Sequence, residues 1–168
     1  MIENTEPAPS TIPTSSEVSA DNRGVAQRLW RYGPPVMWAV LIFIGSSDLL
    51  SSSHTSSFII PTLRALFPGA SEATLAAIHF ALRKLGHFTE YALLAWLTAR
   101  ALRTSSVRLL RERWFWLSLS FIAGYALFDE FRQSFVPSRT SSIYDSLIDI
   151  CGGLTALIVI FRRRKKVR

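Results

Sequence analysis

The chain has 168 residues, 49% of them hydrophobic, and a formal net charge of +7. A soluble domain of this size cannot bury so much apolar surface, so a one-domain membrane protein is the expected class. The positive charge does not indicate nucleic-acid binding, because the basic residues lie just outside apolar segments, the pattern that orients membrane helices.

Residues 1–22 are rich in Pro, Ser, Thr and acids without apolar periodicity, which predicts a disordered cytoplasmic arm over 1–30. No basic stretch followed by an apolar core and a cleavage site opens the sequence, so no removable signal peptide is expected. The first membrane span is read from Pro34 to about Leu50. Pro34 and Pro35 suit a helix start, where a missing N–H does no harm. Ser51 to Ser57 form a polar loop, and the apolar side of Phe58 to Leu66 predicts a short interfacial helix. Pro68-Gly69 signals a turn and Ser71 an N-cap. Leu75, Ile78, Leu82 and Leu85 then recur at helical spacing. The second span, Leu85 to Leu102, is therefore the inner part of a longer helix. The third runs from Trp114 to about Phe131 and the fourth from Ile143 to Phe161. Each is near the roughly 20 residues that cross a bilayer core.

Basic residues set the orientation. Three arginines precede the first span, five lie between Arg100 and Arg113, and the 162–168 tail carries six basic residues; these are fourteen of the nineteen in the chain. All fourteen fall on one side of a membrane if both termini are cytoplasmic. The expected fold is thus an all-α, four-helix transmembrane bundle over 34–161, N-in and C-in. The short interfacial segment between spans one and two is extracytoplasmic.

That orientation brings ionisable groups to one level. Lys84, His87, Glu90 and Tyr91 open the second span, Asp129, Glu130 and Gln133 close the third, and Arg139, Asp145 and Asp149 lead into the fourth. Asp48 near the end of span one is a further candidate. Charged groups near hydrocarbon cost roughly 2.5–3.5 kcal/mol unless paired or hydrated, so a shared outward polar pocket is expected. Several readings stay open. One is that the groups serve only as interhelical pairs, such as His87–Glu90, Lys84–Asp129 and Arg139–Asp145. A second is binding of an anionic or polar ligand, such as a phospholipid head group or a lipid-linked envelope precursor. A third is acid–base catalysis, and a fourth is a scaffold for envelope enzymes. One histidine among carboxylates is a thin ligand set, so neither a metal nor another cofactor is expected.

The remaining features have plainer readings. His54 is expected in a solvated loop and His79 on a helix surface. Cys151, the single cysteine, reads as a small packing residue, and Tyr125 as a packing residue. Gly124, Gly152 and Gly153 allow close helix approach, while Trp114 and Trp116 look like interfacial anchors.

Lys84-x-x-His87-Phe-x-Glu90-Tyr91, Tyr125-Ala-x-x-Asp129-Glu130-x-x-Gln133 and Pro137-x-Arg139-x-x-Ser142-x-x-Asp145, followed by Gly152, resemble the VanZ-like family of bacterial membrane proteins. The resemblance covers roughly residues 36–160. One departure is Asp149, near a position that often holds a short polar residue such as Asn. The resemblance implies a four-helix membrane protein, linked in some members to teicoplanin resistance and without a settled biochemical activity. Its implied partners are membrane lipids; no particular protein partner follows from it.

Overall fold

A computed structural model describes residues 15–46, 52–135 and 143–166. These described residues form six helices: α1 (Ser15–Gly45), α2 (Ser52–Leu66), α3 (Glu72–Arg103), α4 (Arg108–Glu112), α5 (Trp114–Gln133) and α6 (Ile143–Lys166). No strand occurs among the described residues. Helix α3 is the hub, packing against α6, α5, α1 and α2. Its Tyr91, Leu94, Ala95 and Ala99 meet Ile122 and Ala126 of α5, Leu157 of α6 and Ile42 of α1 in the core.

Small residues decide how tightly the helices meet. A Cβ added at Gly152 would lie 2.2 Å from the Phe88 carbonyl oxygen, and one at Gly153 would lie 2.6 Å from Ile122 Cγ2. Helix α6 therefore touches the α3 backbone at a point where no side chain fits. Gly124, read from sequence in the same way, faces open space.

Helix α6 is long and apolar enough over Ile143–Arg163 to cross a membrane. The other long helices turn large apolar side chains outward. Val36, Met37 and Ile44 on α1, Leu85 on α3 and Phe131 on α5 are all more than half exposed. Exposed apolar side chains, where they adjoin one another, mark contact with a membrane or a partner.

Several expectations change against the structure. Helix α1 starts at Ser15, inside the segment read as a disordered arm, and Pro34 and Pro35 lie within it rather than at its start. A proline inside a helix removes one ladder hydrogen bond, but tertiary contacts hold this one in place. Pro35 is buried, and the Tyr32 hydroxyl lies 2.9 Å from Ser105 Oγ across 73 residues. Helix α2 begins at Ser52, six residues before the expected Phe58, and includes Pro61. The N-cap expectation holds: Ser71 Oγ accepts from the Thr74 N–H at 3.2 Å.

His79 is not a surface residue; it is 7% exposed, on a helix that α2 packs against. Burial, reinforced by Arg83, pushes its pKa below the ordinary imidazole value. Cys151 is exposed on α6 rather than packed. The His54 side chain, Asp48 and the last two residues of the basic tail lie outside the described residues.

Candidate functional site

Lys84, His87 and Tyr91 lie three and four residues apart along one face of α3. Asp145 and Asp149 are one turn apart on α6. Lys84 Nζ donates to Asp145 Oδ1, and His87 Nδ1 lies 3.5 Å from Asp149 Oδ1. The next level of the same crossing is Phe88 against Gly152. The order rises together on both helices, so α3 and α6 run in the same direction, and the glycine contact brings their polar faces within reach.

Helices α5 and α1 supply the neighbouring wall. Asp129, 1% exposed, accepts from Ser46 Oγ at 2.6 Å, Gln133 Nε2 at 2.8 Å and Arg132 Nη2 at 3.1 Å. The same Arg132 nitrogen donates to the Phe43 carbonyl at 2.9 Å, and its guanidinium carbon lies 4.2 Å from the Phe43 ring centroid. A buried carboxylate survives only when its lone pairs are satisfied, and here three donors do so. Tyr125 ties the helices lower down, donating to the Ala39 carbonyl at 2.6 Å. Ser146 Oγ donates to the Ala126 carbonyl at 3.4 Å, joining α6 to α5.

Tyr91 sits behind both walls. It is fully buried, its ring centroid lies 6.2 Å from that of Tyr125, and Asp129 and Asp149 act on it electrostatically. Its hydroxyl has no hydrogen-bond partner among the described residues. Such a group forfeits about 1–3 kcal/mol.

Exposure divides the groups into a rim and a floor. The side chains of Lys84, Asp145 and His87 are 23%, 22% and 18% exposed, against 5% for Asp149 and 2% for Asp129. A cation, an imidazole and a carboxylate thus lie at partly exposed positions. Asp149, Asp129 and Tyr91 lie beneath them.

The sequence placed most of these groups together but mispaired some. Lys84 bonds to Asp145 rather than Asp129. Glu90 is exposed, and its main-chain carbonyl accepts from Trp38 Nε1 at 2.9 Å. Glu130 is half-buried. Gln133 shares a face with Asp129 as expected and bonds to it. Arg139 lies outside the described residues. Sequence reasoning missed Ser46 and Arg132. Arg132 carried a usable signal, a cation three residues after Asp129; Ser46 carried none, because its role depends on where α1 ends against α5. Among the described residues no group of three His, Cys, Asp or Glu is arranged to hold a metal ion.

The Tyr125 hydroxyl gives a small, separable test. Tyr125→Phe is expected to cost about 0.6 kcal/mol, the mean for interhelical bonds in membranes, read as a slight fall in melting temperature in detergent.

Fold and site together define an all-helical protein with a charged cluster at one end of its packed helices. Residues 34–164 match the VanZ/LLP1 family model, and the chain belongs to that family. Membership and the apolar α6 support a membrane protein. No match was found among curated proteins or solved structures.

Proposed function

We propose that α1, α3, α5 and α6 span a bacterial plasma membrane with both termini cytoplasmic. The outward rim would recognise or modify a cell-envelope lipid or lipid-linked head group. The observation that carries this reading is the pair of α3–α6 contacts, Lys84–Asp145 and His87–Asp149, with their rim members partly exposed. Interhelical bonds in membranes return only about 0.6 kcal/mol on average, while a charged group there costs several times more. Stability alone is thus a weak reason to keep these charges. A ligand phosphate could replace Asp145 on Lys84 through charge-assisted bonds, with His87 beside it as proton donor or acceptor. Any link to glycopeptide or teicoplanin resistance would act through this pocket.

The probe is a short-chain polyprenyl diphosphate added to the purified protein in detergent. Binding or turnover is expected, and His87→Ala should reduce it by about tenfold or more, the value of a charged hydrogen bond, at unchanged protein abundance. Equal handling of the probe by His87→Ala, or no interaction across a panel of envelope lipids, overturns the reading. Recovery of one stoichiometric protein partner with rim variants still active would favour a scaffold instead. Topology is checked separately in a Cys151→Ser background. A cysteine replacing Lys84 should react with a membrane-impermeant maleimide from outside intact cells, and one replacing Arg113 only after lysis.

A further inference from the structure

A concavity lies at the far end of α3, away from Lys84 and His87. It has a volume of ≈ 400 Å³ and is walled by Trp96, Arg100, Arg103, Thr104 and Arg111. That is within the roughly 300–1,000 Å³ of ligand sites. Its construction follows from local sequence. Trp96, Arg100, Arg103 and Thr104 recur at helical spacing on one side of the last turns of α3. The chain then turns at Ser105, whose Oγ accepts from the Val107 N–H at 3.1 Å. The Ser105 carbonyl accepts from Arg111 Nη1 at 3.3 Å, which holds Arg111 of α4 back toward α3. The Arg103 guanidinium lies over the Trp114 ring, 5.4 Å from its centroid.

No carboxylate among the described residues pairs with the charge in this pocket. Glu112, the carboxylate nearest in sequence, is taken by Arg108 at 2.6 Å. Among the described residues, Arg100, Arg103 and Arg111 have no ion-pair partner. Three like charges facing one cavity repel one another unless an anion enters, and guanidinium forks match phosphate oxygens in geometry.

We propose that this pocket binds the phosphate of an anionic phospholipid, seated between α3 and α4. Trp96 argues for a lipid over a soluble phosphate. It lies one turn deeper along α3 than Arg100 and is half exposed, so it offers an amphipathic wall to the glycerol and first acyl carbons. Basic pockets between helices are a recurrent form of lipid head-group site. The site is independent of the Lys84–His87 rim.

The test uses the full chain in uncharged detergent, titrated with phosphatidylglycerol or phosphatidylcholine and read by native mass spectrometry. The protein is expected to prefer phosphatidylglycerol. Each arginine near anionic lipid is worth roughly fivefold in affinity, so the triple variant R100Q/R103Q/R111Q should lose on the order of 100-fold. R100Q alone, which removes no intramolecular bond, should lose about fivefold at an unchanged melting temperature. The tail variant R162Q/R163Q should keep the preference. A triple variant that still prefers phosphatidylglycerol overturns the proposal, as does an equal loss in the tail variant. Displacement of the lipid by millimolar glycerol phosphate would also overturn it, in favour of a soluble phosphate ligand.

Discussion

Replacing Gly152 by valine is expected to leave little folded protein in the membrane. The first atom of any side chain at this position would lie 2.2 Å from the Phe88 carbonyl oxygen and 2.9 Å from its carbonyl carbon. Both are backbone, so no rotamer change relieves the clash; α6 must move away from α3 as a body. Overpacking commonly costs about 1–3 kcal/mol, and a backbone clash belongs at or above the top of that range even for Gly152→Ala. The displacement also separates His87 from Asp149 and Lys84 from Asp145, one and two turns away. Tryptophan fluorescence during thermal denaturation in detergent provides the measurement. Gly124→Ala is the control, because its Cβ enters open space and alanine is the better helix former by about 1 kcal/mol. A Gly152→Val protein that melts with the wild type would mean that α3 and α6 do not meet at this register.

The second large effect is at Asp129. Asp129→Ala removes the acceptor shared by Ser46, Gln133 and Arg132. Ser46 and Gln133 are buried, so each loses a bond inside the bundle at about 1 kcal/mol or more. Arg132 keeps the Phe43 carbonyl and is partly exposed, so its share is smaller. The sum is about 2–4 kcal/mol, below the cost of stranding a fully buried ion. Asp129→Asn retains one acceptor oxygen and should lose about half as much. Both variants should show reduced membrane abundance and a lower melting temperature. Lys84→Ala should show neither, since Lys84 is on the rim. This contrast separates the wall that holds α1 to α5 from the groups available to a ligand. Equal abundance of Asp129→Ala and wild type would refute the assignment of Asp129 to the wall.

The two effects rest on different kinds of information. Helical character, the cap at Ser71, the long α3 and the set of polar residues could be read from the chain, because apolar periodicity and turn chemistry act over a few residues. Membership of Lys84, His87, Asp145 and Asp149 in one cluster followed from their position at the starts of spans two and four, which run in the same direction. Their pairing did not. Lys84 meets Asp145 because Gly152 sets the register between α3 and α6, and a one-turn shift would have offered it a different carboxylate. Pro34 and Pro35 lie inside α1 against their local preference, because contacts made 73 residues away in sequence hold that helix.

His79 is buried on α3, against which α2 packs, and Cys151 is exposed because of the way α6 is rotated about its axis. Composition and local spacing thus determined which segments are helices and which residues carry charge. Partners, burial and the division into rim and floor were decided by interhelical contact, since a side chain's neighbours across a bundle depend on crossing distance and rotation, which no short window of sequence encodes.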